Sequence, residues 1–300
     1  MNNFDTAQLR LMIESAAANL KNNRKLIDDL NIFPVPDGDT GTNMSLTFSG
    51  AASQTLADEY NGCGKLLSKL ASTSLRNARG NSGVILSQII RGFSKGVEGK
   101  EFIGVADLKD ALASARKIAY RAVMKPTEGT ILTVIRQMAE FAEENYSSFE
   151  DVGEFLRAIF AAGQESLKGT TELLPALKKA GVVDAGGKGL VTIIEGAVYV
   201  LDNGRAMESG EPGDTATTTV AASNEPVNIK YLYCTEFIIN KTSDRQITQF
   251  RTAISEKGDC MLVIEDDEIV KVHIHTNHPG YVLEQAIKLG ELTNLKIENM

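Results

Sequence analysis

The chain has 300 residues, 43% of them hydrophobic and 23% charged, with a formal net charge of −8. That length suits about two domains with sizeable cores, and an acidic balance without a dense Lys/Arg block disfavours nucleic acid and anionic membranes as partners. Three scattered cysteines, a charged N-terminus and no apolar run of spanning length argue against a disulfide framework, a signal peptide or a membrane anchor, and fit a reducing cytoplasm.

From about residue 5 to 203 the apolar period is helical. Leu9, Ile13, Ala16 and Leu20 form the first stripe. It is followed by NIFPVPDGDTGTNM, residues 31–44, where two prolines keep the approach extended. Gly38 lets the backbone turn sharply between Asp37 and Asp39 and brings both carboxylates toward one point. Thr40, Gly41 and Thr42 then open a helix whose first free N–H groups favour an anion. Hard carboxylate oxygens beside such a helix start suit magnesium carrying nucleotide phosphates, whereas the plainer alternative is an ordinary Asp/Gly turn before a capped helix. Asn31, six residues before Asp37, offers either a third oxygen to a metal pair or a helix C-cap after Leu30.

Further stripes follow at Leu66, Leu67, Leu70 and Leu75, at Val84, Ile85, Ile89 and Phe93, and at Ile131, Val134, Ile135 and Met138. Two more occupy 155–160 and 190–201, with breaks at 61–62, 79–81, 125–126, 169–170 and 184–187. The pattern predicts about eight antiparallel helices in an all-α bundle. Arg79-Gly80-Asn81-Ser82-Gly83, with Ser82 as a cap, is a loop-to-helix junction, as are the stretches before Thr130 and after Asp184. With the one at Thr40, four helix starts can gather at one rim as a nucleotide pocket. Neither a Walker A pattern nor a strand–GxGxxG–helix context is present. This half has no histidine, so chemistry there must rest on carboxylates, metal and positioning, which phosphoryl transfer tolerates well.

Residues 204–227 are rich in Gly, Thr, Ala and Ser and poor in large apolar side chains, as expected of a flexible linker. Beyond it, 231–239, 261–264, 269–275 and 295–297 read as strands and 245–254 and 281–289 as helices. The order β-α-β-β-α-β predicts a small α/β domain over 228–300. All three histidines lie in 271–280. His273 and His275 share one strand face, their Cα atoms about 6.5 Å apart. Cys234, on another strand, adds a thiolate, and two imidazoles with one thiolate suit zinc with an open fourth position. Glu236 shares the Cys234 face as a fourth ligand or a supporting partner. The plainer alternative is a solvent-facing histidine pair beside a buried structural cysteine. His278 reads as a spectator, and Cys63 and Cys260 as packing residues.

NIFPVPDGDTGTNM, RGNSGVILSQ, PTEGTIL and VVDAGGKGL, in this order and spacing, resemble the ADP-binding (L) subunit of dihydroxyacetone kinases. They resemble more closely the nucleotide-binding subunit of bacterial fatty acid kinases, and HIHTN-x-PG resembles that family's middle domain. The resemblance implies a multidomain protein, with an eight-helix all-α barrel over 1–203 carrying ATP and a magnesium pair at one end, followed by the α/β domain. It implies Asp37 and Asp39 as magnesium ligands, with Asn31 where the dihydroxyacetone kinase pattern has a third Asp after a shift in spacing. It implies a nucleotide lined by Thr40, Thr42, Asn43, Gly80, Asn81, Ser82, Gly83, Thr130 and Asp184. His273, His275 and Cys234 would act near the acceptor, with or without zinc. The implied activity is ATP-dependent phosphorylation of a fatty acid carboxylate presented by a separate carrier protein, giving acyl phosphate and ADP. A homodimer is compatible with this reading. The family continues into a third, partner-like domain, so a truncated chain is expected. Two alternatives stay open: a dihydroxyacetone-type small-hydroxyl kinase, disfavoured by the added α/β half, and a nucleotide-sensing module without turnover.

Overall fold

The computed structural model describes residues 1–210, 230–242 and 247–300. Its first half is helical: α1 (Thr6–Asn22), α2 (Arg24–Asp29), α3 (Thr40–Leu56), α4 (Cys63–Asn77), α5 (Gly80–Gly96), α6 (Val105–Ala122), α7 (Ile131–Asn145), α8 (Val152–Leu173), α9 (Pro175–Ala180) and α10 (Ala185–Asn203). Eight of these run between 15 and 22 residues, while α2 and α9 have six each. Local chemistry sets the ends. Asp5 and Gln8 form a reciprocal capping box that starts α1, and Gly181 in a left-handed conformation ends α9. Consecutive long helices from α3 to α8 pack on each other, and α10 packs back on both α8 and α1. Their apolar stripes meet in one core that includes Leu20, Met44, Leu66, Ile135, Met138 and Phe155.

One expected break is absent. Gly169 and Thr170 lie inside α8. Thr170 is fully buried, its hydroxyl donates to the Leu167 carbonyl one turn back, and it accepts from the Asp184 N–H. That pair of bonds gives the polar side chain a partner without leaving the helix.

The second half comprises β1 (Tyr233–Lys241), α11 (Ile247–Ser255), β2 (Gly258–Glu265), β3 (Ile269–Thr276), α12 (Pro279–Ile287) and β4 (Gly290–Asn299). The strands pair antiparallel in the order β2-β3-β1-β4. The last strand is longer than the 295–297 segment expected. Of the expected linker, 211–227 lies outside the described residues, as do Arg245 and Gln246 of the expected helix.

All eight residues of β3 are buried, because both sheet faces are covered. Phe237, Ile239, Val270, Val272 and Ile274 pack under α11 and α12. The opposite face lies on the helical half, where Ile238, Leu262, Ile264 and Ile269 meet Leu75, Ala78 and Val84. Arg76 pairs with Glu268 at 2.8 Å, and Arg91 with Asp266 at 3.3 Å, at the edge of this contact. Two residues further along the same strand face, apolar side chains give way to Glu236, Lys271, His273 and His275. No helix of the structure is long and apolar enough to cross a membrane.

Candidate functional site

Where the sheet's polar face meets the helical half, a cleft of about 650 Å³ opens. Four helix N-termini contribute to its wall: Asp39, Thr40 and Asn43 of α3, Gly80, Asn81 and Ser82 of α5, Thr130 before α7, and Asp184 before α10. Unpaired N–H groups and aligned peptide dipoles make such a convergence attractive to anions.

The acid pair sits at the α3 end. Asp39 occupies the N-cap position of α3 but makes no capping bond. That task falls to Asp28 of α2, whose carboxylate accepts from the Thr42 N–H at 2.9 Å and the Thr42 hydroxyl at 2.8 Å. With the helix capped from elsewhere, Asp37 and Asp39 both line the cleft. Asn31 joins them: its side-chain amide donates to Asp37, and its oxygen accepts from the Thr40 hydroxyl at 3.0 Å. Burial of the carboxyl, then the neighbouring charge of Asp39 and a hydrogen bond between the two acids, push Asp37 up to about 6. Two carboxylates and an amide held this close fit a hard divalent cation that would relieve their repulsion.

Thr42 and Gly83 are not among the cleft-lining residues. Thr42 is held by Asp28, and Gly83 is packed so closely that a Cβ there would meet Thr47 Oγ1 at 2.3 Å. Ser82 lines the cleft without capping α5, since the N-cap position belongs to Arg79 and carries no side-chain cap. Thr130 caps α7 through the Leu132 N–H at 3.3 Å. Asp184 is committed to the fold: its carboxylate accepts from the Gly187 N–H at 2.7 Å and also from the Ile131 N–H, joining the starts of α10 and α7. Burial raises it to about 6 against the pull of those two bonds.

The sheet supplies the opposite wall. Register places Cys234 and Glu236 of β1 across from His275 and His273 of β3, all on the cleft-facing side. His273 and His275 bring their Nε2 atoms to 3.2 Å, and Cys234 Sγ lies 4.0 Å from His273 Nδ1. One ligand atom from each of the three falls within 4.8 Å of the others, a spacing that a single zinc ion spans. Burial, then the charge of Glu236, raises the Cys234 thiol to about 12, so only a bound cation or another strong perturbation would make it a thiolate near neutrality. Burial lowers His275 to about 4, with His273 adding to the effect. Burial would raise Glu236, but the hydrogen bond and charge of His273, then Lys271 and the Gly80 N–H, hold it at about 2.

Several residues were missed by sequence reasoning. Asp28 caps α3 from a different helix. Lys271, buried and 3.5 Å from Glu236, shares the strand face of both histidines, and its two-residue spacing was the available signal. Cys260, expected to pack, instead lines the cleft beside Asp259, which pairs in register with His275. A register shift between Asp259 and Leu262, with Cys260 at φ 49°, re-aims that side chain. Cys63 is buried as expected, and His278 precedes α12 outside the cleft.

Two family models match this chain: the DAK2 domain over residues 34–199, and the FakA-like middle domain of fatty acid kinases over residues 230–300. An uncharacterized protein of Staphylococcus epidermidis is similar at 43% identity over 300 residues, covering 96% of this chain and 54% of that protein. One from Staphylococcus aureus is 42% identical over 300 residues with the same shares. The chain thus spans about half the length of the curated relatives it matches. Among solved structures, the dihydroxyacetone kinase from C. freundii in complex with AMP-PNP and Mg2+ aligns at 19% identity, covering 66% of this chain and 35% of that one, with a TM-score of 0.48. Its native form aligns at 18% identity over the same shares, with a TM-score of 0.47. The DAK2 match takes in more than half of the sequence, and this chain belongs to the DAK2 domain family.

Proposed function

We propose that this chain is the nucleotide-binding part of a kinase that transfers the γ-phosphoryl group of ATP to the carboxylate of a fatty acid held by a separate carrier protein. The observation that carries the reading is the convergence in one cleft of an acid pair, four helix N-termini and a buried histidine pair. The match to the FakA-like middle domain of fatty acid kinases supports a carboxylate as acceptor. The helical half would act as an eight-helix barrel with the nucleotide at its rim.

In the proposed reaction an oxygen of the acid attacks the γ-phosphorus. The new O–P bond forms as the bond to the β,γ-bridging oxygen breaks, and ADP leaves with that electron pair. Magnesium, held by Asp37, Asp39 and Asn31, would neutralise phosphate charge. Thr40, Asn43, Gly80, Asn81 and Ser82 position the phosphates, and Thr130 closes the wall toward the nucleoside. His273 and His275 orient the acceptor on the opposite wall, within the same water-poor space. With Cys234 they fit zinc, which would polarise the acceptor carboxyl.

Separating binding from transfer tests the proposal. His273→Asn and His275→Asn should bind a magnesium–ATP analogue like the parent chain, yet form no acyl phosphate with loaded carrier, as read by hydroxylamine trapping. Full transfer by both variants contradicts the assigned acceptor wall.

A further inference from the structure

We propose that Glu236 is a positioning residue, a latch that ties the start of α5 to the histidine pair across the two halves of the chain. Its Oε1 accepts from the Gly80 N–H at 2.8 Å, although the two residues are 156 positions apart. The same oxygen lies 3.2 Å from His273 Nδ1. Oε2 faces Lys271 Nζ at 3.5 Å. One buried carboxylate therefore touches the backbone of the α5 junction, one cleft histidine and one buried cation.

Each contact answers a local deficit. Gly80 is the first residue of α5, and Arg79 before it offers no capping side chain, so the helix start lacks a local acceptor. Glu236 provides one and places a negative group at the positive end of the helix. The His273 bond consumes Nδ1–H and leaves Nε2 as the free ring atom, directed at His275. Lys271 compensates the charge inside a region where an unpaired carboxylate is costly. Two residues away on the same strand face, Ile238 makes a dry apolar contact with the helical half. An apolar side chain at 236 would extend that dry contact, so the carboxylate adds placement rather than burial. The α5 junction and the ring of His273 are thereby held at one fixed separation.

The consequence for catalysis rests on the phosphoryl-transfer reading, but the latch does not. The test uses the 300-residue chain and its Glu236→Ala and Glu236→Gln variants, with two local readouts. Amide exchange at Gly80 is compared with amides inside α10, and ring ¹⁵N shifts give the His273 tautomer. In the parent chain Gly80 is protected and His273 carries its proton on Nδ1. Glu236→Ala should speed Gly80 exchange by about tenfold or more and mix the tautomers. Glu236→Gln, which keeps an acceptor oxygen, should hold Gly80 within about threefold of the parent. An unprotected Gly80 or an Nε2–H tautomer in the parent chain overturns the latch without any variant. Unchanged exchange and tautomer in Glu236→Ala overturn it as well. Titrating the same samples with a magnesium–ATP analogue keeps the two ideas apart, since loss of binding in the parent chain would sink the kinase reading alone.

Discussion

Replacing Gly80 with alanine perturbs the cleft at a position where backbone and packing act together. Gly80 sits at φ +58°, and a Cβ there would meet Asn43 Nδ2 at 2.5 Å. The left-handed backbone costs a non-glycine residue ~1 kcal/mol, and forcing Asn43 aside adds ~2 kcal/mol of overpacking. Gly181 offers an internal control: it sits at φ +67° with nothing within 4 Å of an added Cβ. Gly181→Ala should therefore show the backbone cost alone, ~1 kcal/mol, and lower the melting temperature by about 2–4 °C. Gly80→Ala should lower it by about 6–12 °C, the extra loss reporting the crowding of Asn43. Differential scanning calorimetry of both variants measures the contrast. Equal shifts in the two variants would refute the claim that Asn43 is wedged against the start of α5.

Two further outcomes follow from the buried groups. Asp184→Asn keeps a carbonyl oxygen for the Gly187 and Ile131 N–H groups while removing a buried charge. Asp184 is raised from 3.8 to about 6, so the folded state holds its proton more tightly than the unfolded chain does. That stabilisation is complete below the ordinary value and is lost as the pH climbs through about 6; its full size is ~3 kcal/mol. Between pH 4 and 8 the melting temperature of the variant should rise relative to the parent, and a pH-independent difference would contradict the assignment. For the sheet, zinc analysis of the purified parent chain against Cys234→Ser should give near-stoichiometric metal in the parent alone, and near-zero metal in both would remove the proposed ion.

The parts of the site visible in the sequence are those written in short segments. Asp37, Gly38 and Asp39 announce a turn with paired acids because all three are adjacent. His273 and His275 declare a common face because a strand alternates with period two. Contacts between distant segments left no such trace. Nothing near Thr42 reveals that Asp28 takes its N–H, and nothing near Ser82 reveals that Glu236 serves the start of α5. Gly169-Thr170 looked like a break because small polar residues usually mark one, but Asp184 supplies the partner that keeps the helix running. Cys260 was assigned to packing because a register shift in one strand cannot be read from composition. Helix and strand positions were legible; the partners across the interface were not.

The central claim is that Asp37 and Asp39 hold a cation that carries a nucleotide. Calorimetric titration with a nonhydrolysable ATP analogue, with and without Mg²⁺, addresses it directly. Binding by the parent chain should require Mg²⁺, and Asp37→Ala or Asp39→Ala should weaken it by about a hundredfold. Equal affinity in the parent chain and both variants, or binding indifferent to Mg²⁺, would contradict the account.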